Sequence, residues 1–204
     1  MKKKISKNIY KFCFIVLSII AVILLILIIK KYLNSKRAED ENKQTLEVFS
    51  RTDFNDDNGE ETPNIKLNGY DVIGKIKISK INIEYPIVAI ENPNPDDTKI
   101  PLTFSIVRYW GGEVNGYGNL SIAGHNKYDG TMFGKLNKLD IKDEVSLTDL
   151  KKQTINYIIY SKFITDPNDI SVLENTSETE REVTLITCTN GNKKRLILKA
   201  KEII

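Results

Sequence analysis

The sequence predicts an all-β domain, a barrel or a sandwich, standing behind one apolar helix. Three observations carry that expectation. From about Gly69 onward, short runs alternate apolar and polar residues and are rich in Val, Ile, Leu and Thr, the period-two pattern of half-buried strands. Clusters of Gly, Asn, Asp and Pro punctuate those runs, as turns do. Ahead of them lies a single long apolar stretch with no such pattern.

The elements follow in chain order. The chain has 204 residues, room for one ordinary domain and an appendage. Residues 12–29 read FCFIVLSIIAVILLILII, with one serine and no charge. At ~1.5 Å per residue, a helix of that length spans most of a ~30 Å hydrocarbon core. A cleaved signal peptide is the competing reading. Its apolar region would run ~7–15 residues and end in a small-residue cleavage site, whereas this run ends in Lys30-Lys31-Tyr32. The segment is therefore expected to be an uncleaved transmembrane signal-anchor, preceded by a short basic cytoplasmic segment, 1–11. Lysines flank both sides of the span, so the charge bias toward a cytoplasmic N-terminus is slight. Nearly all polar mass follows it, as in a single-pass membrane protein whose working domain is extracellular.

Residues 30–68 read as a linker. Acids, Asn and Thr dominate and apolar residues are scattered, too few to offset the ordering entropy. A short helix over 38–51 is the one element foreseen there. The folded domain is expected over 69–204. Its strand candidates are Val72–Ile78, Ile81–Val88, Leu102–Arg108, Asn119–Ala123, Glu144–Leu147, Thr154–Ile164, Glu182–Cys188 and Lys194–Ala200. Turn signals separate them at Asn92-Pro93-Asn94-Pro95, Asn115-Gly116, Asp129-Gly130, Asp166-Pro167-Asn168 and Asn190-Gly191. Residues 132–139 could form one short helix with Thr131 as its cap.

The formal charge of +3 misleads. Residues 1–33 hold seven lysines and no acid, which leaves 23 basic against 27 acidic residues for the remainder. A basic footprint for nucleic acid is absent from the folding part. The lysines beside the span suit anionic headgroups.

Only two cysteines occur, Cys13 in the apolar run and Cys188 at the end of a strand. A leftover thiol in an exported domain is either reactive or a buried, inert small hydrophobe. The chain has one histidine, His125, directly after a strand, and Arg195 opens the strand that follows Cys188 across an Asn-Gly turn. Each alone is weak evidence. Together they fit nucleophilic chemistry: a thiol attacks as thiolate, an imidazole can carry the proton, and a guanidinium is a permanent fork of donors for an oxyanion.

The stretch TLITC at 184–188, Arg195 on the next strand, Gly-His-Asn at 124–126 and the block SIAGHNKYDGTMFGKL at 121–136 resemble the sortases, the cysteine transpeptidases of Gram-positive surfaces. The resemblance covers roughly residues 70–204. It implies an eight-stranded sortase-type β-barrel with one or two short helices. It also implies Cys188 as nucleophile, His125 as general acid/base and Arg195 as the residue that steadies substrate and oxyanion. Thr187, Asn126 and Trp110 are candidates for substrate contact. The implied reaction cleaves an LPxTG-like C-terminal sorting signal of surface proteins through a thioacyl enzyme. The acyl group then passes to an amine of cell-wall precursor or pilin, with no cofactor.

The subclass stays open. The Gly-His-Asn block with Asp129-Gly130-Thr131-Met132-Phe133-Gly134 resembles class B, while the short His-to-Cys separation resembles the compact class A or D forms. NPxTN-like signals remain an alternative. The acidic run 165–181, with Asp166, Asp169, Glu174, Glu178 and Glu180, raises calcium, although its ligand spacing fits no known loop and a solvated acidic loop is the plainer reading. Trp110 reads as packing or a groove wall, and Asn126 and Asp129 could each orient His125. Two rival functions fit parts of the pattern: a cell-wall Cys/His peptidase or L,D-transpeptidase, and a non-catalytic membrane-tethered β binding module. The first fits poorly, since His precedes Cys here and no second His exists.

Overall fold

The computed structural model describes residues 7–52, 64–90, 97–175 and 177–203. The expected turn at Asn92-Pro93-Asn94-Pro95 and residues 53–63 of the expected linker lie outside them.

One helix, α1, runs Lys7–Arg51 without a break. Residues 9–34 of it are exposed throughout, and it is long and apolar enough to cross a membrane. Helix thus continues through 30–37 of the expected linker into the stretch 38–51, where a short helix was expected. The stretch contains no Pro or Gly and is rich in Glu, Lys, Leu, Gln, Arg and Ala, residues that propagate a helix once one is nucleated.

The chain divides between Asp40 and Glu41 into two units. The second unit holds the last turns of α1 and every strand. In it, Asn42, Thr45 and Phe49 are buried, Phe49 to 1% exposure, at helical spacings of three and four that put them on one face. The Asn42 amide donates to the Phe104 carbonyl at 2.5 Å and its oxygen accepts from the Ser105 hydroxyl at 2.8 Å. Lys152 Nζ lies 4.0 Å above the Phe49 ring and donates to the Phe49 carbonyl.

A two-residue strand, β1 (Lys66–Leu67), pairs with β2 (Tyr70–Ile78). The barrel consists of β2, β3 (Ile83–Val88), β4 (Ile106–Trp110), β5 (Gly118–Ala123), β6 (Glu144–Asp149), β7 (Thr154–Thr165), β8 (Arg181–Thr189) and β9 (Lys194–Glu202). Its order is β2-β3-β4-β5-β8-β9-β7-β6, and β6 pairs back to β2, so the sheet closes. Closure removes the open edges that would otherwise template aggregation. The eight strands foreseen from the sequence are all present. β4 starts at Ile106 rather than Leu102, because Pro101–Thr103 form a 3-10 turn. The pairs β3–β4 and β5–β8 are parallel.

The inward residues form one apolar core, including Ile76, Ile78, Ile106, Ile122, Leu147, Leu185 and Leu198, each 0% exposed. Alternation fails on β5, whose six residues are all buried, and on residues 182–187 of β8. Residues 172–175 cover part of their outer face. Asn119 Nδ2 donates to the carbonyls of Val172 and Glu174 at 3.1 and 3.2 Å, and Thr184 Oγ1 donates to Asn119 Oδ1 at 2.8 Å. Below this seam, Glu182 and Lys199 form a buried ion pair at 3.2 Å, and Tyr160 donates its hydroxyl to the same carboxylate at 2.5 Å.

The helix expected over 132–139 does not form; only Leu136–Lys138 make a 3-10 turn. Met132 takes a left-handed φ of +48°, which a right-handed helix excludes. Thr131 is not its cap: its N–H and hydroxyl both donate to Asp129 Oδ1, at 2.9 and 2.6 Å.

Candidate active site

Strand parity sets the outer face at this end of the barrel. Leu120 and Ile122 of β5, Val183 and Leu185 of β8, and Leu196 and Leu198 of β9 point into the core. Successive strand residues point to opposite sides, so Ser121 and Ala123, Thr184, Ile186 and Cys188, and Arg195, Ile197 and Lys199 occupy the other face. The registers align them in rows. Ser121, Thr184 and Lys199 are opposite one another, as are Ala123, Ile186 and Ile197. One step further, Cys188 pairs with Arg195, and His125 lies two residues past Ala123 as Cys188 lies two past Ile186. The register thus sets Cys188 beside Arg195 at one end of that face, and His125 follows at the same end on the segment that leaves β5 after Ala123.

Cys188 is half-buried. Arg195 is half-buried as a residue, and its guanidinium donates through one nitrogen to the carbonyls of Asn192 and Lys194 at 3.2 and 3.3 Å. These are contacts within its own hairpin. His125 is exposed at the surface, yet its imidazole pKa lies below the usual 6.5, because nearby chain desolvates the ring and, second, because Lys127 is cationic. Both effects disfavour a positive ring.

The segment bearing His125 is held from several sides. Gly124 N donates to the Ile186 carbonyl at 3.1 Å, and Phe133 N donates to the His125 carbonyl at 3.0 Å. A Cβ at Gly124 would lie 2.8 Å from the Phe133 ring, so the close approach of that ring requires glycine there. Met132 N donates to the buried Tyr85 hydroxyl at 3.2 Å. Tyr85 had no signal in the sequence beyond its place on a strand.

The secondary candidates separate. Thr187 is 2% exposed and its hydroxyl donates to the Gly124 carbonyl at 2.7 Å; it points inward and ties β8 to the turn before His125. Asn126 Nδ2 donates to the Cys188 carbonyl at 2.8 Å. Asp129 closes its own turn through Thr131. Trp110, half exposed, pairs with Ser121, four residues before His125 in the chain. In the acidic run, Asp166 accepts from Asn168 N and bridges Lys194, while Asp169 accepts from Thr165 and Ser171. Among the described residues, no group of three or more His, Cys, Asp or Glu side chains converges as a metal site.

A closed eight-stranded barrel with this strand order is the fold of β-barrel transpeptidases, as its solved neighbours show. The sortase-domain family model matches residues 76–203, and the chain belongs to the sortase family. A Clostridium perfringens Sortase D5 transpeptidase is similar at 32% identity and a TM-score of 0.64, over 81% of this chain and 99% of that one. Listeria monocytogenes sortase A is 25% identical with a TM-score of 0.57, over 65% of this chain and 88% of that one. Bacillus anthracis Sortase A is 25% identical over 201 residues, 89% of this chain and 91% of its own length. Family and fold together make the chain a sortase-type transpeptidase, with protein substrates and cell-wall partners in general.

Proposed function

We propose that this transpeptidase cleaves an LPxTG-like sorting signal on exported proteins and passes the acyl group to an amine of cell-wall precursor or pilin. The observation that carries the reading is the end of the β5–β8–β9 ladder, where Cys188 pairs with Arg195 and the residue after His125 donates to the Cys188 carbonyl, which supports the three acting at one point.

The chemistry runs in two balanced steps. The Cys188 thiolate adds to the carbonyl carbon of a Thr–Gly-like bond. Arg195 exchanges its hairpin carbonyls for the oxyanion, two parallel N–H donors being suited to that charge. The imidazolium of His125 gives its proton to the departing amine, the C–N bond breaks, and a thioester remains. The acceptor amine then attacks the thioester, loses its proton to the neutral imidazole, and expels the thiolate. The depressed pKa of His125 keeps the ring mostly neutral at pH 7, which suits the second step, so the imidazolium needed in the first is a minority form. No cofactor takes part.

The 32% identity to a class D protein supports the compact class D form over class B. The described residues between His125 and Cys188 agree, carrying 3-10 turns but no α-helix. We place the apolar part of α1, 12–29, in the membrane, with the barrel on the extracellular side and the basic residues before the span in the cytoplasm.

The test uses the full chain in detergent with a fluorogenic LPxTG-type peptide, with and without added amine. Wild type should release product and, with amine, form the ligated peptide. Cys188→Ala should abolish both; retained turnover would refute the assignment. His125→Ala should lose roughly 10²–10⁴-fold. Arg195→Lys should be damaged despite its charge, because the planar fork is gone. Cleavage of wall peptides that carry no sorting signal, without ligation, would favour the peptidase reading.

A further inference from the structure

The parallel ladder between β5 and β8 ends in an unusual way. In its last backbone rung, Gly124 N donates to the Ile186 carbonyl at 3.1 Å. A parallel ladder advances two residues per rung on each strand, so the next donor would be Asn126 N and the next acceptor the Cys188 carbonyl. The backbone cannot supply that donor from within β5, which stops at Ala123. Past it the chain bends away to meet the 131–134 turn, with Phe133 N on the His125 carbonyl and a bridge pairing Asn126 with Met132. The acceptor is nonetheless served, since Asn126 Nδ2 donates to the Cys188 carbonyl at 2.8 Å. A side-chain amide takes the rung that the main chain vacates.

We infer that Asn126 is a positioning residue: its amide extends the β5–β8 ladder one rung past the end of β5, holding His125 and Cys188 level with each other. This rests on the catalytic reading of the pair. The rung below is doubly tied, by Gly124 N to Ile186 and by the Thr187 hydroxyl to the Gly124 carbonyl at 2.7 Å. The rung at Cys188 has Asn126 on its β5 side, where no β5 backbone pairing reaches. Asn suits the task because it donates through a neutral N–H; an Asp there would aim a carboxylate oxygen at a carbonyl oxygen. The same geometry argues against substrate contact, since the amide is already committed to the nucleophile's own backbone.

The test compares Asn126→Ala, Asn126→Asp and Asn126→Gln in the full chain. One arm needs no substrate: iodoacetamide alkylation at Cys188 across pH, read by peptide mass so that Cys13 is scored separately. Asn126→Ala and Asn126→Asp should each slow alkylation at neutral pH by about tenfold, the size of one hydrogen bond's net contribution, and displace the pH profile upward. Asn126→Gln, with its amide one methylene farther out, should recover part of the rate. In the peptide assay kcat should fall while KM stays. An alkylation profile superimposable on wild type in both Asn126→Ala and Asn126→Asp would overturn the proposal, as would a rise in KM alone. If wild type cleaves no sorting peptide at all, the functional reading fails while the alkylation arm still judges the positioning.

Discussion

His125 is the chain's one histidine, so a single imidazole resonance reports protonation at the candidate site. Its pKa is held below 6.5 by desolvation first and by Lys127 second. An NMR titration of the folded chain should therefore show one midpoint below 6.5. Lys127→Gln should raise that midpoint without restoring it, because the larger cause remains. A folded midpoint at or above 6.5 would mean that a carboxylate faces the ring. The linkage has a definite sign: folding favours the neutral ring, so this increment of stability is present above pH 6.5 and is lost as pH falls through the depressed value. At this scale residue scarcity narrowed the candidates. One His, and one Cys in the folded domain, leave little choice of nucleophile and base. What could not be read is where an amide points. Asn126 and Asp129 looked equivalent as orienters of His125, yet one donates to Cys188 and the other is occupied by Thr131. The place of Trp110 depended on the register shift between Arg108 and Trp110, a bulge with no sequence mark.

The elements that carry the site are the β8–β9 hairpin and the turn after His125, and two glycines separate their demands. Gly191 lies at φ +62°, beside Asn190 at +50° and Asn192 at +71°. A Cβ on it would meet nothing within 4 Å. Gly191→Ala should thus cost only left-handed strain, about 1 kcal/mol, or a melting shift of about 2–4 °C. Gly134 is different, because a Cβ there would stand 2.1 Å from the Lys127 carbonyl oxygen. Gly134→Ala must open the turn that anchors the His125 carbonyl through Phe133. Both melting temperature and peptide cleavage should fall, with a larger melting shift than for Gly191→Ala. Equal effects in a melting series would show that the turn relaxes freely. Period-two alternation marked β2 and β3, and turn signals bounded the remaining strands, including β5 and β8, which are buried on both faces. The short helix over 132–139 was misread because its apolar spacing, Met132, Phe133, Leu136 and Leu139, serves a loop. All four pack in the core, and helical spacing cannot distinguish a helix from a coil that buries the same residues.

At the scale of the whole molecule, the sequence placed the edge of the folded domain near Gly69, whereas the compact unit starts at Glu41. The buried stripe on α1 was hidden because two of its three members are polar. Asn42 and Thr45 are carried into the interior by hydrogen bonds, Asn42 to Phe104 and Ser105 and Thr45 to the Glu41 carbonyl, so no hydrophobic period stands out. The consequence is testable. A fragment beginning at residue 34 retains the stripe, and one beginning at 53 removes it. Losing 41–52 uncovers the Phe104 carbonyl and Ser105 hydroxyl and forfeits the burial of Phe49, whose aromatic ring alone contributes about 1.5–3 kcal/mol. Two buried hydrogen bonds add about 1 kcal/mol each. In urea titrations the shorter fragment should therefore be less stable by about 3–5 kcal/mol. Phe49→Ala in the longer fragment should reproduce much of that loss, since truncating a buried Phe costs about 3–5 kcal/mol, and Asn42→Ala a smaller part. Coincident urea midpoints for the two fragments would show that residues 41–52 are a passive tether and that the barrel is complete without them.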